Sequence, residues 1–243
     1  MKPFFIVLCC VIALFPGVSY TEEAIQLEHP QAEVDHWFDD ALFIGDSLTR
    51  QLHNTVMKER HEEKHTLGKA LMLASPNYTI YNATRRFSSE NVVNIQYRGL
   101  DWSVFKLLKD VQPAKVFILL GMNDGMKKSH QHLIVRYAKA LDLMAEAAPD
   151  AMLVVQALTP VTQKMKDPLL QQDLIDSFNA SLASMCAEKG VYFLDIATPL
   201  KGEDGFLPME RSTDQRIHLN LEGIKIWVDT LHSFAQTRLQ EHD

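Results

Sequence analysis

Ala41-Leu42-Phe43-Ile44-Gly45-Asp46-Ser47-Leu48 is the stretch that decides the architecture. Its apolar run shows no alternation, which describes a short strand buried on both faces, as in a parallel sheet. Gly45 closes the run and permits a tight turn, and residues 48–64 carry helix formers. A strand that leads straight into a helix is the first unit of an alternating α/β fold. The same pattern recurs downstream. Tyr78-Thr79-Ile80-Tyr81 is β-rich and follows the breaker Pro76-Asn77. Trp102, Phe105, Leu107 and Leu108 fit a helix that stops before Pro113. Residues 115–120 contain Val-Phe-Ile-Leu-Leu, a second buried strand closed by Gly121. Leu133, Tyr137, Leu141 and Met144 share one face of a helix over residues 132–148. Residues 152–155 read as a strand, 169–189 as a helix stopped by Gly190, and 191–194 as a strand. Asn220 is placed to cap a final helix that runs to residue 239. Strand and helix thus alternate, which predicts an open parallel sheet with helices on both faces. Ligands of such sheets bind outside the carboxyl ends of the strands, so the loops after Ile44, Tyr81, Leu120 and Val155 should share one rim.

The bulk properties bound the partners. The chain has 243 residues, enough for one domain with a sizeable core, and 47% of them are apolar, a globular balance. Its formal charge is −7 with no dense Lys/Arg cluster, so nucleic acid is excluded as a partner on electrostatic grounds. Lys2 precedes an apolar run from Phe4 to Phe15, too short to span a bilayer with ease, and small residues follow at Gly17 and Ser19. Residues 1–19 therefore read as a secretory signal peptide, residues 20–40 as a polar lead-in and residues 41–243 as the folded domain. The expected location is secreted or periplasmic, with no stable membrane insertion once the signal is removed; an uncleaved anchor is the alternative. Cys9 and Cys10 leave with the signal, so Cys186 has no internal disulfide partner, and its apolar neighbours place it on a buried helix face.

Three segments carry candidate chemistry. In Gly45-Asp46-Ser47-Leu48 a serine sits where a strand becomes a helix, beside free N–H groups that can hold an oxyanion; taken alone, such a serine is as readily a helix cap. In Gly121-Met122-Asn123-Asp124-Gly125 the Asn123 amide can donate to the same oxyanion, or the segment is an ordinary turn. In Asp214-Gln215-Arg216-Ile217-His218-Leu219-Asn220 an imidazole can take the serine proton while a carboxylate holds its tautomer. The joint order of Ser, Asn and a late His with an acid upstream, each at a strand end or helix start, is what singles them out from the serines, asparagines and histidines elsewhere.

With those segments the chain resembles the SGNH or GDSL family of hydrolases, over residues 41–235. The carriers are Phe43-Ile44-Gly45-Asp46-Ser47-Leu48, Gly121-Met122-Asn123-Asp124 and His218-Leu219-Asn220-Leu221-Glu222-Gly223. The resemblance implies a three-layer, flavodoxin-like α/β/α fold with a mostly parallel five-stranded sheet, and ester hydrolysis with neither metal nor cofactor. It implies Ser47 as nucleophile, His218 as base and Asn123 as an oxyanion donor beside the Ser47 N–H. Two departures stand out. The family's second block usually holds a glycine whose N–H completes the oxyanion hole; residues 81–88 hold none, and Phe87 falls at that position. Either the Phe87 N–H still donates, with a ring that narrows the acyl pocket, or the donor is missing. The family also places the triad Asp three residues before His, where this chain has Gln215. Either Asp214 reaches the imidazole through a one-residue bulge, or a Ser-His pair is oriented by a backbone carbonyl.

The reading is an exported serine esterase acting through an acyl-enzyme on short acyl esters, with acetyl on carbohydrate as the preferred class. A small-molecule or glycan ester is then the partner. O-acyl transfer to a glycan, lysophospholipase or aryl esterase action, and a non-catalytic binding module of the same fold are the alternatives. Other motifs have plainer readings. His61-Glu62-Glu63-Lys64-His65 matches a zinc-protease pattern but is charged on every side and reads as a solvated helix face. Asn77, Asn82 and Asn179 head glycosylation sequons that matter only in a glycosylating host. Arg85 and Arg86 read as surface residues, with contact to an anionic substrate as the other reading.

Overall fold

A computed structural model describes residues 29–85, 93–125 and 130–241. The signal-peptide reading of residues 1–19 and the Phe87 reading lie outside the described residues. In chain order the elements are α1 (Gln31–His36), β1 (Ala41–Gly45), α2 (Ser47–His61), β2 (Leu71–Ala74), α3 (Ile80–Thr84), β3 (Ile95–Tyr97), β4 (Leu100–Trp102) and α4 (Val104–Val111). They continue with β5 (Lys115–Leu119), α5 (Gln131–Ala147), β6 (Met152–Gln156), α6 (Gln172–Lys189), β7 (Tyr192–Leu194) and α7 (Leu221–Gln240). The main sheet has five parallel strands in the order β2-β1-β5-β6-β7, and β3-β4 form a separate antiparallel hairpin. This is the flavodoxin-like α/β arrangement, in which the strand order reverses beside β1. The reversal opens a crevice between the loops that leave β1 and β5.

The sheet is buried because its strands are apolar on both faces. Leu42, Phe43, Ile44, Val116, Phe117 and Ile118 are all inaccessible. Phe43 and Phe117 are register partners on β1 and β5, and their rings stack at 4.6 Å. Trp37 and Phe38, just past α1, pack edge-on and tilted against that pair, and Phe234 of α7 joins from the same face. Residues 31–38 of the expected polar lead-in are thus part of the body, because α1 rests on α7 and buries Val34 and Phe38. On the other side α5 packs against α4 and α6, with Leu133, Tyr137, Leu141 and Met144 buried as their spacing predicts. Cys186 is fully buried on α6, and Gly190 ends that helix in the left-handed region.

One strand lies elsewhere than the sequence pattern predicts. Tyr78–Tyr81 is not a strand: Ile80 opens helix α3, and the strand of this unit is β2 at Leu71–Ala74. The reason is local. Thr79 and Asn82 form a reciprocal capping box, the Thr79 hydroxyl accepting from the Asn82 N–H and the Asn82 side chain accepting from the Thr79 N–H. The loop that reaches the rim therefore leaves Ala74.

The β1–α2 junction is the tightest point of the fold. A Cβ on Gly45 would lie 2.0 Å from Thr49 Oγ1 and 2.9 Å from the Leu119 carbonyl oxygen. The glycine is required for space, since α2 leans on the end of β1. Gly45→Ala should destabilise the domain by about 1–3 kcal/mol through overpacking, read from denaturant midpoints. An unchanged midpoint would show that the junction relaxes freely.

Candidate active site

Asp46 caps α2, its Oδ1 accepting from the Leu48 N–H at 3.0 Å, so Ser47 is the first residue of the helix. That location fixes the hydroxyl at the carboxyl edge of the sheet and within the positive end of the helix dipole. His218 meets it from a sequence separation of 171: His218 Nε2 lies 3.1 Å from Ser47 Oγ. The other ring nitrogen, Nδ1, lies 2.6 Å from Asp214 Oδ2. Hydroxyl, imidazole and carboxylate thus stand in series.

The segment that carries the histidine is a closed loop. Ser212 and Leu219 pair as an antiparallel bridge, the Thr213 N–H donates to the His218 carbonyl at 2.9 Å, and the Asn220 N–H donates to the Arg211 carbonyl at 2.9 Å. Gln215 sits at φ 58°, the left-handed region, and is the extra residue between acid and base. This turn folds the chain around the carboxylate. Asp214 Oδ1 accepts from the N–H groups of Arg216, Ile217 and His218 at 2.8, 3.0 and 3.1 Å, and from the Ser212 hydroxyl at 3.1 Å. Partial burial works to raise the Asp214 carboxyl, but the imidazole and those amides outweigh it and hold it at about 2. Asp214 is therefore charged at any pH at which the domain would ordinarily work. Asp214 meets the ring although it lies four residues upstream.

Gln51, one turn beyond Ser47 on α2, ties the two segments together. Its Nε2 donates to the Leu219 carbonyl and its Oε1 accepts from the Leu219 N–H, both at 3.1 Å. The Thr162 N–H donates to the Arg216 carbonyl at 2.9 Å, so the loop after β6 braces the histidine loop from the far side.

Asn123, in the turn after β5, reaches the same mouth. Its Nδ2 donates to Asp46 Oδ2 at 3.1 Å and to the Tyr78 carbonyl at 3.4 Å. Asp124 turns the other way and accepts from the Ile80 and Tyr81 N–H groups at 3.1 and 3.4 Å, anchoring the start of α3. Arg136 grips α3 from α5, its guanidinium 4.0 Å from the centre of the Tyr81 ring and its Nη1 2.9 Å from Thr84 Oγ1. Burial pushes both Asp46 and Asp124 up to about 6, against the amides and cations that favour their charged forms. The structure therefore gathers Ser47, His218, Asp214 and Asn123. Gln51, Asp124 and Thr162 support them and were not picked out from sequence; only the Asn-Asp-Gly turn gave any sign of Asp124.

Among the described residues no group of three or more His, Cys, Asp or Glu side chains could hold a metal ion. Helix α2 ends at His61 and Glu62 is its C-cap, so His61 and His65 do not share a helix face. The reading of residues 61–65 as one solvated helix face is corrected accordingly: they are exposed, but they span a helix end and the turn after it.

Fold and site together define an α/β/α hydrolase with its polar groups at the sheet's switch point. The chain belongs to the GDSL-like Lipase/Acylhydrolase family, whose model matches residues 43–226. A comparison with curated proteins finds no match. Among solved structures, the fold is similar to a GDSL-like lipase from Bacteroides thetaiotaomicron, with TM-score 0.59, 15% identity, and coverage of 86% of this chain and 91% of that one. It is also similar to a carbohydrate esterase family 3 protein from Talaromyces cellulolyticus, with TM-score 0.55, 12% identity, and coverage of 83% and 98%. An acetyl-xylooligosaccharide esterase from Geobacillus gives TM-score 0.52, 14% identity, and coverage of 80% and 93%. At these identities the likeness is one of fold.

The buried Asp46 carboxyl has a measurable consequence. Its folded pKa of about 6 lies above the ordinary aspartate value of 3.8, so the folded state holds the extra proton between those pH values. Stability from this group therefore falls as pH rises from about 4 to about 6, by about 3 kcal/mol in all. Measured by chemical denaturation, the stability of wild type relative to Asp46→Asn should be greater at pH of about 4 than at about 7. A difference that does not vary with pH would count against the buried-charge account.

Proposed function

We propose that this protein is a serine esterase that hydrolyses short-chain carboxylic esters through an acyl-enzyme. The observation that carries the reading is the series Ser47 Oγ, His218 and Asp214, with 3.1 Å and 2.6 Å separations. His218 Nε2 takes the Ser47 proton as Oγ bonds to the ester carbonyl carbon. Negative charge builds on the carbonyl oxygen and is held by the Ser47 N–H at the helix start and by Asn123 Nδ2. Of the two bonds that Nδ2 makes, the 3.4 Å bond to the Tyr78 carbonyl is the weaker and the one exchanged for the oxyanion. The C–O bond to the alcohol then breaks, and His218 gives its proton to the departing oxygen. Water repeats the cycle: His218 takes its proton, hydroxide adds to the acyl carbon, and Ser47 leaves with the proton returned. Asp214 stays ionised and stabilises the imidazolium in both halves.

Acetyl on carbohydrate is the preferred substrate class. Two fold relatives carry carbohydrate-esterase and acetyl-xylooligosaccharide-esterase names, and a bulky residue, Phe87, at the sequence position of the family's glycine would favour a small acyl group. The amino-terminal sequence supports action after export.

Ser47→Ala should lower kcat/KM on p-nitrophenyl acetate by about 10³-fold or more and abolish labelling by a fluorophosphonate. Equal turnover by variant and wild type would overturn the reading. Gln51→Leu tests the brace between nucleophile and base: kcat should drop about ten- to a hundredfold with a much smaller change in KM. A change confined to KM would mean that Gln51 serves binding instead.

A further inference from the structure

Beside the catalytic groups lies a cleft of about 800 Å³ that the mechanism above does not use. Its walls come from two places. The histidine loop contributes Asp214, Arg216, Ile217 and His218, and the segment after β6 contributes Lys164, Lys166 and Asp167, with Met165 among the apolar lining. The cleft is therefore bordered by the imidazole and its acid. The oxyanion groups, Asn123 and the start of α2, are not part of its lining. The departing alcohol must take its proton from His218, so the alcohol half of the ester leaves on the imidazole side.

The charges in that lining are unequal in availability. Both carboxylates are already engaged. Asp214 accepts from three backbone amides, a hydroxyl and the imidazole, and Asp167 Oδ1 accepts from the Leu169 N–H at 2.8 Å. Lys164 donates to the neutral Gln215 Oε1. Lys166 and the Arg216 side chain are exposed and have no ion-pair or hydrogen-bond partner among the described residues. In a chain of net charge −7, three cations thus line this cleft, and neither carboxylate of its lining is free. Guanidinium and ammonium groups over an apolar strip of Met165 and Ile217 suit a ring or chain that ends in an anion.

We propose that this cleft binds the alcohol half of the substrate and selects esters whose alcohol carries an anionic group, a carboxylate or a phosphate, through Lys166 and Arg216. The inference rests on the esterase reading above and adds the substrate's charge to it. Matched acetyl esters test it: 4-acetoxyphenylacetate, the equally sized neutral 4-acetoxyphenylacetamide, and 4-acetoxybenzylphosphonate. Wild type should favour an anionic ester over the neutral amide by about tenfold in kcat/KM, and raised salt should erode the ratio. The carboxylate and phosphonate arms tell which anion is preferred. Lys166→Gln with Arg216→Gln should reduce the anionic-to-neutral ratio by about tenfold. Lys166→Gln alone, outside the histidine loop, keeps the test open if the double variant does not fold, with a reduction of about threefold. A wild-type ratio near one, or a ratio indifferent to both variants, overturns the inference while the esterase reading stands. If no acetyl ester is cleaved faster by wild type than by Ser47→Ala, the esterase reading fails first and this inference with it.

Discussion

The closeness of α2 to the end of β1 governs the rest of the rim. Because Gly45 has no side chain, Thr49 can settle onto the strand end and the helix can begin at Ser47. One residue of slack at this junction would rotate Ser47 by about 100° around the helix axis and away from the mouth of the sheet. The crevice beside β1 then does what strand order dictates. It brings the turn after β5 to within one hydrogen bond of Asp46, so Asn123 arrives next to the nucleophile without any interaction of its own with Ser47.

The histidine loop depends on that junction at second hand. Its stability comes from polar wiring: Asp214 at its centre, the Gln51 amide on one side and the backbone contact from Thr162 on the other. Net hydrogen bonds contribute only about 0.5–1.5 kcal/mol each, but leaving a buried partner unmet costs about 1–3 kcal/mol. Such wiring therefore adds less to stability than to position. It makes wrong placements of the loop expensive, and it sets the Ser47–His218 distance through a helix turn and one peptide group.

Strand and helix order were legible in the sequence because they rest on local apolar patterns, and these match for β1, β5, β6, α5 and α6. The failure at residues 78–81 has the same origin. Tyr, Thr and Ile are β-formers by composition, yet a Thr-x-x-Asn capping box and an aspartate at the helix start outweigh that weak preference. Strand β2 is not legible because Leu71–Ala74 is only four residues long, too short an apolar run for periodicity to mark as a strand. At the site, Ser47, Asn123 and His218 were legible because each follows a strand or precedes a helix. The manner in which Asp214 reaches His218 was left open, since it depends on the left-handed torsion at Gln215. Gln51 was not legible at all: its partner is 168 residues away, and no local pattern marks a helical glutamine as a brace.

Three carboxylates, Asp214, Asp46 and Asp124, stand at the rim of the sheet, and their environments keep them from acting alike. Asp214 is partly open to water and surrounded by N–H donors, so it holds its charge most firmly. Asp46 and Asp124 are more deeply buried, each with two donors at the helix start or rim it organises, and both sit nearer neutrality. A base flanked by three equally exposed acids would be pulled toward whichever happened to be nearest. Here Asp46 is occupied as the cap of α2 and Asp124 by the first N–H groups of α3, and Asp214 is the acid that meets the ring. The division of labour follows from solvation and backbone geometry: the acid that meets the imidazole is the one whose amide donors keep it ionised.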